Sequence, residues 1–364
     1  MARWRHLCRL PEPEAFRGTM VVTVVGEATE QERGGLRPMD ATRDLGAIAD
    51  LIAEAFADEL DERGQAALRE MRWMARLTPL VWWWSQMDPS FRDAFSGFVW
   101  EEPSPQAGGS RSSRQIVGNV SLNRAPGSRQ RWIICNVVVM QECQGQGIAR
   151  RMMEAAIDEA QEIGAVGVLL QVHWDNPRAL GLYSRMGFSE VSGETNLRLD
   201  AVSSVAILDA PGYGIQRGYP ADGQAVYDLA RQAIPAAQQW IRPVRAQDYK
   251  PDWLLRLGRW ISDMVAGRQS CRLMARKDAQ LAAAATVTTA GGKGEHSLEL
   301  LVHPDHQGKV EAALISRALH MLASAPSKPV RVTSNVEDEA TLKVLRDYGF
   351  KEQRTLLTMR KDFA

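Results

Sequence analysis

Short β-branched runs alternate along the chain with stretches whose apolar residues recur at helical spacing. Trp132–Val139 is an apolar run of the kind that forms a buried strand. From Ile148, apolar positions return at Met152, Ala156, Ala160 and Ile163, one face of an amphipathic helix that Gly164 can stop. The same reading places helices at about 44–56, 62–77 and 177–185, with strands at about 97–101, 115–123, 166–172 and 190–200. Strands mixed with helices predict an α/β fold: a central, mixed, twisted sheet flanked by helices.

The pattern then repeats. Met186-Gly187-Phe188-Ser189-Glu190 matches Tyr348-Gly349-Phe350-Lys351-Glu352, and Arg198-Leu199-Asp200 matches Arg360-Lys361-Asp362. The offset, 349 − 187, is 162 in both pairs. Leu36-Arg37-Pro38 before Asp44–Phe56 resembles Ile215-Gln216-Arg217 before Asp222–Ile234, each a short strand followed by an acidic cap and an amphipathic helix. Two tandem copies of one domain are therefore expected, at about 35–205 and 206–364. The Pro- and Gly-rich stretch Asp209–Tyr219 suits the boundary, and Glu101–Arg114 reads as a hairpin loop. Residues 1–34 are expected to be a poorly ordered extension, apart from a short strand at Met20–Val25.

Composition narrows the partners. Lys and Arg number 44, equal to Asp and Glu, so no global field gathers a polyanion, and neither nucleic acid nor an anionic membrane is expected. No apolar run approaches the roughly 18 residues of a membrane helix, and charges and prolines break up the start of the chain, unlike a signal peptide. Cys8, Cys135, Cys143 and Cys271 are scattered, without a CxxC pair, so no metal or disulfide framework is expected and a reducing cytoplasm is the natural compartment.

The candidate chemistry sits after Val139. Gln144-Gly145-Gln146-Gly147-Ile148-Ala149-Arg150 leads from a strand into a helix. The first turn of a helix carries unpaired N–H groups and partial positive charge, and Gly145 and Gly147 let a diphosphate approach the backbone. Glycines alone fit a bare strand-to-helix turn equally well. A second element, Asn176-Pro177-Arg178-Ala179-Leu180-Gly181-Leu182-Tyr183-Ser184-Arg185-Met186-Gly187-Phe188, adds context. Asn176 caps a helix, Pro177 opens it and Gly187 ends it.

Together these motifs resemble the GNAT acetyltransferase superfamily. Its loop signature (Gln or Arg, two residues, Gly, one residue, Gly or Ala) is met by Gln144, Gly147 and Ala149, and the second element resembles its Asn-x-x-Ala-x-x-Leu-Tyr-x-x-x-Gly-Phe run. The resemblance implies tandem GNAT-like domains with a splayed central strand pair, and acetyl-coenzyme A as co-substrate. Val137, Val138 and Val139 would line the pantetheine, Val137 and Val139 through main chain. Gln144, Gly145, Gln146, Gly147, Ile148, Ala149 and Arg150 would hold the pyrophosphate, and Asn176 would touch the pantetheine or its phosphate end. Tyr183 would protonate the leaving thiolate, although a tyrosine on an apolar helix face is often plain core. A backbone N–H of the splayed strand would serve the oxyanion.

The general base stays open among Glu101, Glu102, His173 and a water chain. Cys135 and Cys143 have no neighbouring His in sequence, so direct transfer is expected rather than a covalent relay. His303-Pro304-Asp305-His306 lacks further ligands for a metal.

In the second half Val310 stands where Gly147 stands, Glu311 where Ile148 stands, and Leu345 where Tyr183 stands. A β-branched side chain blocks close approach, a carboxylate repels a diphosphate, and leucine has no proton to give. The second copy is expected to be a degenerate scaffold. The acceptor is expected to be a small-molecule or protein amine, with a homodimer allowed. Met71–Met74, Val81–Trp84, Phe91, Phe95, Phe98 and Trp100 read either as an aromatic acceptor pocket or as a segment packed on the second domain. The functional expectation is an N-acetyltransferase. The alternatives are a coenzyme-binding regulator without turnover, or transfer from a different acyl-coenzyme A, which the loop cannot distinguish.

Overall fold

The computed structural model of the chain describes residues 35–57, 62–77, 96–103, 114–203, 205–292 and 294–363. The expected Met20–Val25 strand and the tryptophans at 82, 83 and 84, with Phe91 and Phe95, lie outside the described residues, as does most of the expected hairpin loop after Glu101.

The first part of the chain forms β1 (Gly35–Pro38), α1 (Ala41–Ala55), α2 (Glu62–Ala75), β2 (Gly97–Pro103), β3 (Arg114–Arg124), β4 (Arg131–Val139), α3 (Ile148–Glu162), β5 (Gly167–His173), α4 (Pro177–Arg185) and β6 (Ser189–Leu199). The rest forms β7 (Gly214–Arg217), α5 (Gly223–Ala233), the short helices α6 (Gln238–Ile241) and α7 (Ala246–Tyr249), then α8 (Trp253–Val265) and β8 (Gln269–Lys277). It ends with β9 (Gln280–Thr289), β10 (His296–Val302), α9 (Glu311–Ala323), β11 (Val330–Asn335), α10 (Glu339–Asp347) and β12 (Lys351–Asp362). Local chemistry sets these bounds. Asp40 caps α1 by accepting from the Thr42 amide, and Asn176 and Asp338 cap α4 and α10 in the same way.

The strands form one sheet in the order β1-β2-β3-β4-β5-β12-β6-β11-β10-β9-β8-β7. The order is symmetric about its centre, yet each closing strand has crossed over. β12 pairs antiparallel with β5, and β6 pairs antiparallel with β11, while β6 and β12 pair with each other. Each thus completes the half of the sheet that the other half of the chain began. The exchange extends to the cores. Met359 of β12 packs with Val168, Leu170 and Tyr183, whereas Leu197 of β6 packs with Val332, Leu342 and Leu345. Burying a side chain of this size is worth about 1.5–3 kcal/mol, so neither strand can leave its adopted core cheaply.

Helices divide by face. Adjacent residues in a strand point to opposite sides: Trp100 joins the α3 cluster and Val99 the α1 cluster. In β9, Ala283 and Ala285 face α9, and Ala284 faces α5. Following the register across the sheet, α3, α4, α9 and α10 cover one face, and α1, α2 and α5 the other. On this second face α6 places Trp240 beneath the guanidinium groups of Arg131 on β4 and Arg360 on β12, 4.7 and 5.6 Å from the ring centre. Phe98 and Trp100 belong to the α3 core of the first half. These two rings therefore lie on the sheet face opposite α1 and do not wall an acceptor pocket beside that helix.

A fragment of residues 35–205 lacks β12 and leaves β6 without a partner on either side. It is expected to pair β6 with β6 of a second copy, giving a dimer by size-exclusion chromatography with light scattering. A monomer that melts cooperatively would show that the exchange is dispensable.

Candidate functional site: a splayed strand pair and a loop of free amides

β4 and β5 run parallel and pair only from Arg131–Ile134 to Gly167–Leu170. Beyond Ile134 they part. The cause lies in β4, where Asn136 adopts a left-handed backbone (φ 52) and the β3 register slips between Asn119 and Ser121. Buried Asn119 donates from Nδ2 to the Asn136 carbonyl (3.0 Å), and Asn136 donates from Nδ2 to Ser121 Oγ (3.3 Å), fixing the bulge. Asparagine tolerates this conformation better than its valine neighbours would.

Past the bulge, the Met140 amide bonds the Val117 carbonyl on β3. Alternation along an antiparallel strand then turns the backbone of Val138 toward β3 and that of Val137 and Val139 toward the gap. Val138 is 5% exposed and packs on α1, so it supports the gap without offering it a polar group. The Val139 carbonyl is already used: Gln144 donates to it from Nε2 at 3.1 Å.

The loop continues from Gln144. Gly145 (φ 82) and Gly147 (φ 81) take left-handed conformations, and a Cβ added at either would meet open space. Gly147 caps α3 without a side chain. Among the described residues no acceptor bonds the amides of Gly145, Gln146, Gly147, Ile148, Ala149 or Arg150. The side chain of Ile148 is buried beneath them. This is an anion cradle at a helix start, built of main chain and open in front. The residues present fit a diphosphate.

Other expected contacts are arranged differently. Asn176 spends its carboxamide oxygen on the Ala179 amide (3.0 Å), leaving only Nδ2 for a ligand. Arg150 pairs with Glu154 one turn along α3. Sequence reading missed Arg178, whose Nη1 donates to Gln144 Oε1 at 2.8 Å and sets a guanidinium beside the loop. The pair is 34 residues apart, and only its place in the second turn-forming motif hinted at it. Asn119 was also missed; an asparagine inside an apolar strand was the available signal.

Tyr183 is 6% exposed, with its ring 6.1 Å from that of Phe188. Burial pushes its phenol up to about 12, so it holds its proton through the neutral range. No described residue hydrogen-bonds its hydroxyl. Among the base candidates, Glu101 is engaged by Arg37, Arg43 and Arg114, and its hydrogen bond from Arg37 holds it below the usual carboxylate range. It is ill-suited to accept a proton. Glu102 accepts the Cys143 thiol at 3.6 Å, and His173 stands 3.9 Å from Asp175. Burial pushes the Cys135 thiol up to about 12 and also raises that of Cys143, so neither is a ready nucleophile.

The corresponding place in the second half is built differently. β10 and β11 pair only from His296–Leu298 to Val330–Val332 and then part, as β4 and β5 do. Here the loop closes on itself. Glu311, 1% exposed, accepts from the Gly308 amide (2.7 Å) and the Val310 amide (3.0 Å). The Lys309 amide bonds the His306 carbonyl, and Val310 is fully buried. A carboxylate of the chain occupies the amides that stay free at Gly145 and Gly147. Nearby, His303 bonds Gln232 and His306 bonds Tyr213.

Strands that part beside a helix start with free amides frame the candidate site. Residues 58–188 match the model of the acetyltransferase (GNAT) family, so the chain carries a GNAT-family domain. A stretch is 34% identical over 62 residues to N-alpha-acetyltransferase 30 of Schizosaccharomyces pombe, covering 17% of this chain and 41% of that protein. Among solved structures, the fold resembles a GCN5-related N-acetyltransferase from Sphaerobacter thermophilus (TM-score 0.58, 15% identity), over 91% of this chain and 96% of the other. It also resembles a tandem GNAT protein from the clavulanic acid biosynthesis pathway (TM-score 0.52, 17% identity), over 90% and 98%. At these identities the structural likeness establishes the fold.

Replacing Glu311→Ala strips the buried Val310 amide and the part-buried Gly308 amide of their acceptor. The expected loss is about 2 kcal/mol of unfolding free energy, read as a lower urea midpoint, with Glu311→Gln, which keeps one acceptor, falling between. An alanine variant as stable as the wild type would mean that the carboxylate does not hold this loop.

Proposed function

We propose that the protein is an N-acetyltransferase that moves an acetyl group from acetyl-coenzyme A directly to a primary amine, with the coenzyme held by the first half alone. The free amides from Gly145 to Arg150, facing the β4–β5 gap, carry this reading, and the Glu311-closed loop in the second half sharpens it.

The amides of Gly145–Arg150 and the α3 dipole bind the diphosphate, with Arg178 close by. The exposed main chain of Val137 and the Val139 N–H pair with pantetheine as a strand would. That alignment brings the thioester to the bulge, where a backbone N–H can stabilise charge on the acyl oxygen. Tyr183, protonated at neutral pH, can give a proton to the departing sulfur. The acceptor must arrive as a neutral amine, and Glu102, His173 or ordered water remain to take its proton.

The second half, with Glu311 in its loop, serves as partner in the sheet rather than as a second catalytic copy. On this reading the two halves are related domains, meeting near residue 205. Among the described residues no helix is long and apolar enough to cross a membrane.

The test is a thiol-release screen over a panel of small amines and peptides, beside calorimetric titration of acetyl-coenzyme A. Binding of one coenzyme per chain is expected. Gly147→Val should weaken it by at least about tenfold, because a β-branched residue resists the left-handed conformation and crowds the diphosphate. Two sites per chain would overturn the asymmetric assignment. Tyr183→Phe should keep coenzyme affinity and lower the release rate by about a hundredfold, the scale of one proton-transfer group. An unchanged rate would return Tyr183 to a packing role. Binding without turnover on any amine would favour a coenzyme-binding regulator.

A further inference from the structure

The second half keeps a cavity although its loop is closed. The space measures about 810 Å3 and lies on the α5 side of the sheet, roofed by the end of α5 and the turn into α6. It reaches through the gap between β10 and β11 to Asp338 and Thr341 at the start of α10.

Its floor is polar and ordered by strand register. On one side of the gap, Arg272, Thr286 and Glu299 stand abreast on β8, β9 and β10. On the other, Thr333, Asn196 and Arg354 stand abreast on β11, β6 and β12. All of these residues line the cavity, together with Glu194. Strand exchange is what brings Asn196 and Glu194 of the first half beside Arg354 of the second.

Several of these groups are unspent. Arg354 is half-buried and makes no hydrogen bond or ion pair with any described residue. Thr341 is 2% exposed, and its Oγ1 has no partner among the described residues. Arg272 donates from Nε only to the neutral Thr286 hydroxyl (3.2 Å). A buried hydroxyl and a recessed guanidinium left unpaired are costly unless something meets them. The unpaired edge of β10 adds main-chain donors and acceptors at strand spacing, which an amide-bearing chain can match.

The chemistry of the occupant follows. A diphosphate is disfavoured, because Glu311 already fills the loop amides. The lining carries both signs, with Arg242, Arg272, Arg331 and Arg354 against Glu194, Glu299, Glu337 and Asp338, so a purely anionic or purely cationic ligand would leave one set unmet. A carboxylate, an ammonium and amides in between satisfy the guanidiniums, the glutamates and the β10 edge together. We infer that this second cleft is a binding site for a short zwitterionic peptide, distinct from the coenzyme loop. It rests on the second half being closed to coenzyme, but not on the first half being an enzyme.

The experiment is calorimetry on the full chain, using a panel of unblocked di- and tripeptides and the same peptides acetylated at one end and amidated at the other. Titrations are run with and without saturating coenzyme A. One unblocked peptide should bind per chain, its blocked form at least tenfold more weakly, and coenzyme A should leave its affinity unchanged. Arg354→Gln should weaken binding at least tenfold, and Glu194→Gln is a second variant, each checked for wild-type melting. The inference is overturned if no peptide in the panel binds, if both variants bind as the wild type does, or if coenzyme A displaces the peptide. Failure of acetyl transfer in the first half would leave all these readings as they stand.

Discussion

The antiparallel pair β6–β12 is the constraint from which the rest of the molecule follows. Each of these strands belongs by sequence to one half and by packing to the other. A sheet joined this way is continuous across its centre, because backbone pairing links β5, β12, β6 and β11 in turn, with two register shifts between β6 and β12. The Thr195 and Thr355 hydroxyls, 2.9 Å apart, add a side-chain link at the joint. Lys361 adds another by donating to the Met186 carbonyl at the end of α4 (2.8 Å). The second half therefore reaches the first half's site without any interface in the usual sense: Met359 and Leu357 of β12 pack in the core that holds Tyr183.

A joint of this kind lets the two halves diverge in chemistry while sharing stability. The same local frame, strands that part beside a helix start, occurs twice. In the first half the helix opens with Gly147 and buried Ile148, and among the described residues its first amides have no acceptor. In the second it opens with buried Val310 and Glu311, and a carboxylate of the chain takes the place an external anion would take. Unpaired amides at an exposed helix start can be satisfied by water and cost little. The buried Val310 amide cannot, so the second loop needs its own acceptor. The carboxylate that fills the second loop is also what holds that loop together.

Much of this was legible in the residues. Glycines with open space ahead of an amphipathic helix, and the Asn176–Phe188 run, are short-range patterns, and backbone geometry expresses them directly. The 162-residue repeat was visible because its markers, the Gly-Phe turns and the Arg-x-Asp ends, lie at fixed spacing. The crossing of β6 and β12 was hidden for a physical reason. A strand's alternation says which side chains are buried and not which neighbour buries them. Leu197 and Met359 would read the same in either core. The Asn136 bulge and the Arg178–Gln144 bond were obscured in another way, since each depends on a partner distant in sequence. Glu311 reads as simple repulsion of a ligand until its two short bonds to the Gly308 and Val310 amides are seen.

Strand exchange also holds the second cleft open. A cleft lined by one domain can shrink by moving a helix. This one is floored in part by β6 and β12, whose positions are fixed by cores on the far face of the sheet. Drawing the walls together would pull Leu197 from its contacts with Val332 or Met359 from its contacts with Tyr183. Packed interiors resist such shifts, so the scaffold of the first site keeps the second space open. Arg354, Glu194 and Asn196, three of the polar residues that line that space, are contributed by the exchanged strands themselves.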